Sequence, residues 1–120
     1  MNQPWPTIVA RYALYTGDNA AIHEMLALAK RIATGPLAKG LYAWTSMFDL
    51  CVTQTEVEYP YDGPYLKVSP LPDGRVEFRY LDTRDHEKQW HRTVDAKDAL
   101  PRMLSFLGQL HWFSVEQLQP

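Results

Sequence analysis

The sequence predicts an α+β domain: helical segments at the N-terminus, an antiparallel meander of three to four strands, and a C-terminal helix packed on one sheet face. Three observations predict it. Apolar residues recur at helical spacing near both ends, residues alternate in the middle, and a Pro-Asp-Gly turn joins two alternating segments. Helix and strand signals are segregated rather than interleaved, which favours α+β over alternating α/β units. At 120 residues the chain reads as one domain, 1–120. A domain of this size buries roughly two-thirds of the surface its unfolded chain exposes, so one core suffices without staples.

The first helix starts at Pro6, whose fixed φ suits a first turn, and runs to about Tyr15. Ile8, Tyr12 and Tyr15 share one face. Val9 and the tyrosines weaken helix propensity, so a strand is the alternative, and Thr16-Gly17 ends the segment either way. A second helix is capped by Asp18, with Ile22, Met25, Leu26, Ala29, Ile32 and Ala33 on its apolar side. Lys30 and Arg31 suit the negative end of its dipole, and Gly35-Pro36 stops it, the glycine taking a left-handed conformation.

From Leu41 to Thr55 the pattern is ambiguous. Trp44, Phe48, Cys51 and Val52 make a helical stripe; Tyr42, Trp44, Phe48, Leu50 and Val52 fit a period of two, interrupted at Ser46. The Thr, Val and aromatic content favours a strand. Further on, a two-residue Asp73-Gly74 loop would mix polar and apolar residues on one face. A three-residue Pro72-Asp73-Gly74 loop instead pairs Val68 with Phe78 and Leu66 with Tyr80. Pro begins a type I turn and Gly takes the left-handed bulge position, so the bulged hairpin is predicted. Val76, Phe78 and Tyr80 then face the core, and a third strand, about Lys88 to Val94, adds Trp90 and Val94. Arg92 falls on that inner side and is assigned to an edge, stem packed and charge in water. The last helix begins at Asp95 or Asp98; Asp98 is favoured as its cap because Pro101 then falls at the third position, and Leu100, Met103, Leu104, Leu107 and Leu110 form its stripe, flanked by Phe106 and Phe113. Gly108 inside it marks close approach of another backbone.

Composition excludes several functions. One cysteine, Cys51, rules out an intramolecular disulfide framework and a zinc-finger module. Twelve Lys+Arg against 14 Asp+Glu leave no basic stripe for nucleic acid. No apolar run approaches the ~20 residues of a membrane helix. The opening Met1-Asn2-Gln3-Pro4-Trp5-Pro6 lacks the charged and apolar regions of a signal peptide, so a cytoplasmic protein is expected.

The candidate chemistry is sparse. His86 and His91 lie near Asp82, Asp85 and Glu87, but their spacing matches no metal motif, and the plain reading is a solvated acidic turn. His111 falls on the buried side of the last helix if that helix runs so far, as a hydrogen-bonded core histidine. Cys51 sits in an apolar run and reads as an inert small hydrophobe. No catalytic residue, metal or cofactor is assigned.

Two features exceed what a core requires. Three tyrosines, Tyr59, Tyr61 and Tyr65, stand beside Pro60, Pro64 and Asp62-Gly63. They read first as a loop packed on the core, and alternatively as a rigid aromatic recognition loop, with Tyr59-Pro60 free to be cis. The tail His111-Trp112-Phe113 reads equally as a partner surface and as a segment docked on the sheet. On the outer sheet face Arg79 and His91 are the first residues to suspect of partner contact. These features point to a non-enzymatic protein-interaction module, a small inhibitor, immunity-type or accessory protein, binding an unknown protein or a second copy of itself through Tyr59, Tyr61, Tyr65, Arg79, His91, Trp112 and Phe113. The alternative is a small-ligand domain or enzyme with an apolar pocket between sheet and helices, lined by Trp44, Tyr80, Trp90 and His111.

Overall fold

The first helix forms where three apolar side chains can be buried along one stripe. In the computed structural model, which describes residues 2–15, 17, 19–58, 61, 63–114 and 116–118, α1 spans Trp5–Ala13 and buries Trp5, Ile8 and Tyr12. The spacing i, i+3, i+7 is helical, which settles the helix against the strand alternative. Pro6 lies in the first turn, as expected. The helix stops short of Tyr15, which is exposed rather than on the buried face.

Helix α2, Ala20–Thr34, is capped by Asn19, whose side chain accepts hydrogen bonds from the N–H groups of Ala21 and Ile22. Asp18, the expected cap, lies outside the described residues. The buried stripe is Ala21, Ile22, Met25, Leu28, Ala29 and Ile32. Leu28, not expected there, is fully buried, while Leu26 and Ala33 are only partly so. Gly35 ends the helix in extended backbone (φ −119, ψ −175), not the left-handed form expected, because Pro36 immediately opens a short 3-10 turn, Pro36–Lys39.

The stretch from Leu41 to Thr55 is two strands, not one: β1 (Tyr42–Ser46) and β2 (Asp49–Thr53), antiparallel, with Ser46 opposite Asp49. Strand β3 is Pro64–Pro70, β4 is Val76–Asp82 and β5 is Trp90–Val94. The order β1-β2-β3-β4-β5 is a simple meander of five strands, one more than expected because of that extra turn. The β3–β4 register is the predicted one, Val68 opposite Phe78 and Leu66 opposite Tyr80. Gly74 N–H donates to Leu71 C=O, Leu71 N–H donates to Arg75 C=O, and Gly74 has φ +88. That is a three-residue loop whose β-turn is closed by a residue of positive φ, a conformation glycine adopts without a Cβ clash.

Helix α3, Ala99–Gln109, follows a 3-10 turn at Ala96–Asp98. Asp98 precedes it as expected but makes no side-chain cap bond, because the 3-10 turn already delivers helical backbone. The buried residues are Ala99, Met103, Phe106 and Leu107. The stripe is rotated toward Phe106, whose ring meets Phe78 at 5.0 Å and Trp90 at 4.9 Å. Leu100 and Leu104 are partly buried beside it. A Cβ on Gly108 would meet Leu118 at 3.2 Å, so the close neighbour is a side chain of the tail and not the backbone expected. The helix ends before His111, which has φ +60 and is exposed rather than buried.

Side chains from the three helices and the inner sheet face form one core that includes Ile8, Met25, Leu66, Phe78 and Met103. No helix among the described residues is long and apolar enough to cross a membrane.

Candidate functional site

Three surfaces carry side chains beyond what the core uses. The first lies where the end of α1 meets the β1–β2 turn. A two-residue loop of Met47 and Phe48, with no Gly, Asn or Asp between the strands, is costly locally, and Met47 is held at φ +57, where a non-glycine residue is strained. Groups 36 positions earlier hold it there. Arg11 Nε and Nη2 donate to the Met47 carbonyl at 3.2 and 2.7 Å, and Tyr12 Oη donates to the Phe48 carbonyl at 2.8 Å. The Arg11 guanidinium also lies 5.9 Å from the centre of the Tyr15 ring and 5.7 Å from that of Phe48, a cation–π arrangement. The two rings meet edge-on at 5.3 Å.

The apolar side chains around this clamp remain in water. Leu14 is 78% exposed, Met47 80%, Tyr15 51% and Phe48 37%. Beside them is a groove of about 330 Å³ lined by Tyr15, Asn19, Ile22, Phe48, Pro70, Leu71 and Pro72. None of its exposed residues was expected to form a surface. The sequence did hold a signal: Met47-Phe48 places two bulky apolar residues side by side, which breaks a period of two next to the interruption at Ser46.

The second surface is a cleft of about 260 Å³ at the opposite end of the sheet, lined by Gln54, Thr55, Tyr61, Gly63, Pro64, Arg84 and Trp112. Tyr61 and Trp112, assigned separately from sequence, converge here. Tyr61 Oη donates to the Pro64 carbonyl at 2.8 Å, and Gly63 N–H donates to Thr83 Oγ1 at 2.8 Å, which ties the loop to the end of β4. On the sheet face away from the helices, Trp44, Tyr61 and Tyr65 form a ring cluster with centroids 5.6–6.3 Å apart. Tyr59 and Pro60 lie outside the described residues, and with them the cis question.

The third is a shallow hollow of about 160 Å³ at the β4–β5 edge, lined by Arg79, Tyr80, Leu81, Gln89, Trp90 and His91. Arg79 and His91 are cross-strand neighbours on the outer face. Tyr80 and Trp90 stack at 5.9 Å on the inner one and line this hollow without Trp44 or His111. The proposed pocket of Trp44, Tyr80, Trp90 and His111 is therefore not assembled. Trp44 has the strand parity of the outer face, Tyr80 and Trp90 that of the inner, and His111 is exposed beyond α3. Phe113 is docked: two atoms of its ring lie 2.9 and 3.0 Å from where a Cβ on Gly40 would stand.

The titratable groups are tuned for burial. The Cys51 thiol is pushed up to about 11, first by burial and against the pull of Lys67, with the Asp49 carboxylate pushing further. A thiol so protonated is a poor nucleophile at neutral pH. Burial likewise raises the Tyr12 hydroxyl. The Asp82 carboxylate accepts from the N–H groups of Arg84 and Asp85, both at 3.0 Å, and so shapes the turn after β4. His86 lies in the exposed 3-10 turn His86–Lys88, and no group of three or more His, Cys, Asp or Glu residues among those described is placed to hold a metal.

No family model matches this chain, and no curated protein or solved structure is detectably similar to it.

Proposed function

We propose that this chain is a non-enzymatic protein-interaction module and that its docking surface is the apolar end formed by Leu14, Tyr15, Met47 and Phe48. The observation that carries this reading is the strained, almost fully exposed Met47, held by Arg11 and Tyr12 beside an apolar groove. Exposed apolar side chains on a rigid support favour association, because the ordering cost is met before the partner arrives. Methionine is unbranched and polarisable, and adapts to the shape it meets. The partner is a protein that places one large aliphatic or aromatic side chain in the Tyr15–Phe48 groove and an acidic group near Arg11. An inhibitor, immunity-type or accessory role fits this surface, and a reducing cytoplasm fits its single buried cysteine.

A photo-crosslinking residue at position 47, with position 79 on the open sheet face as control, tests this in the native cell. A discrete adduct at 47 only is expected. Leu14→Ser combined with Met47→Ser is then expected to weaken the purified pair about tenfold or more. Equal adducts at both positions, or binding unchanged by the double variant, overturns the reading.

A second reading follows from the convergence of Tyr61 and Trp112 on one cleft, whose Gln54, Thr55 and Arg84 supply polar handles. There the protein is a small-ligand domain. A metabolite that raises the melting temperature of the native chain but not of Trp112→Ala supports it; equal shifts in both proteins place the ligand elsewhere.

A further inference from the structure

The backbone groups of β5 face two ways. Leu71 N–H donates to Arg75 C=O across the β3–β4 turn, and this fixes which residues exchange ladder bonds across the sheet. Phe78 and Arg92 exchange them, so His91 and Thr93 point their N–H and C=O groups away from β4. The Asp82 N–H, which donates to Gln89 Oε1 at 3.0 Å, obeys the same parity. Of these four outward groups, the His91 carbonyl alone has a partner among the described residues. That partner is the adjacent Arg92 guanidinium, at 2.7 Å.

We propose that β5 is a dimer edge: two copies of this chain pair antiparallel along β5 with Thr93 on the two-fold axis, and one continuous sheet runs through both. Hydrogen-bonding and charge complementarity select a second copy and this register. Centred on Thr93, the pairing sets His91 against Asp95 of the second copy, twice by symmetry, and Arg92 against Val94. Centred on Arg92, it sets two guanidinium groups face to face. Centred on His91, it sets two imidazoles together on a face that already carries Arg79. Asp95 is extended (φ −64, ψ 148), so the chain holds the path of the strand as far as the register needs, and its carboxylate makes no cap bond to the turn it precedes. Arg75 lies close enough to feel the Asp95 charge, and Glu77 stands opposite Thr93 on β4. Pairing displaces the Arg92–His91 contact, one exposed hydrogen bond, and replaces it with backbone bonds from Thr93 N–H to Thr93 C=O and from Asp95 N–H to His91 C=O, each twice by symmetry, while the Asp95 carbonyl stays with Asp98 N–H. This edge is separate from the apolar end, so either surface stands or falls alone.

Sedimentation equilibrium from about 1 μM to about 1 mM tests the proposal. The mass of the natural chain is expected to rise from 13.9 kDa toward twice that value. Asp95→Lys is expected to weaken the dimer about tenfold or more, and His91→Asp combined with Asp95→Lys, which exchanges the carboxylate and its hydrogen-bonding partner, to restore it to within about threefold. Thr93→Pro removes an N–H that faces away from β4, so the fold is kept and the dimer lost. If that variant does not fold, the charge exchange decides. A monomer throughout the range, a dimer indifferent to Asp95→Lys, or no recovery on exchange overturns the proposal.

Discussion

Strands β1 and β5 both border the sheet, and their outward backbone groups meet different surroundings. Along β1, Gln3 N–H donates to the Ala43 carbonyl at 2.8 Å, while Gln3 Oε1 accepts from both Thr45 N–H and Thr45 Oγ1 at 2.9 Å. Trp5 Nε1 donates to the Leu41 carbonyl at 3.0 Å, and Arg11 takes the Met47 carbonyl. The N-terminal segment and α1 thus cover this edge with groups from far along the chain. Along β5 the corresponding cover among the described residues is one arginine bonded to its own neighbour. An uncovered edge is a template for another strand, and short length with charge is the usual protection. The contrast teaches that β1 is closed by tertiary structure, at a cost that falls on α1, whereas β5 is guarded only by side chains that a partner can displace.

The largest expected effect comes from breaking the β1 cover. Trp5→Ala removes a buried indole and its bond to Leu41, and is expected to cost about 3–5 kcal/mol in urea unfolding. Trp90→Ala, at the open edge and half-buried, is expected to cost about half as much. Equal losses would mean that the two edges are held alike.

A smaller effect comes from pH. Cys51, which pairs with Trp44 of β1, has its thiol raised from 9.0 to about 11 in the fold. The fold prefers the protonated thiol, so this contribution to stability is complete below about pH 9 and is lost as pH rises through about 11. Tyr12 is shifted in the same direction. Chemical denaturation is expected to show stability declining over that window, less steeply in Cys51→Ala, with slow reaction of the native thiol with a disulfide reagent at pH 8. A flat profile, or a fast thiol, contradicts the burial of that side of the sheet.

The smallest effects sharpen the comparison most. Gln3→Ala removes a side-chain acceptor shared by two donors of Thr45 and is expected to cost about 1 kcal/mol. Thr93→Val on the open edge touches no side-chain hydrogen bond among the described residues, and is expected to stay within about 0.5 kcal/mol when unfolding is followed at low protein concentration. A larger loss at Thr93 than at Gln3 would reverse the assignment of closed and open edges.

Much of this fold can be read directly from local chemistry. Pro72, Asp73 and Gly74 dictate a three-residue loop, and the loop fixes the parity of Val68, Phe78, Leu66 and Tyr80. The stripe of Ile22, Met25, Ala29 and Ile32 likewise defines α2. The candidate surfaces were less legible. Tyr61 and Trp112 are odd enough in composition to draw notice, but that they share a cleft depends on where α3 ends and the tail turns. Leu14 and Met47 look like core residues in any local window, and nothing near them says that they stay in water.

The sequence by itself determined the inward faces of β3 and β4 and the amphipathic stripe of α2, because each depends on contacts within a few residues. Only the tertiary structure decided the break at Met47-Phe48. A loop whose two central residues are Met and Phe is unfavourable on its own, and it exists because Arg11 and Tyr12, 36 positions away, supply the donors its carbonyls need. That distance is also why the exposed apolar end cannot be read from any single stretch of the chain.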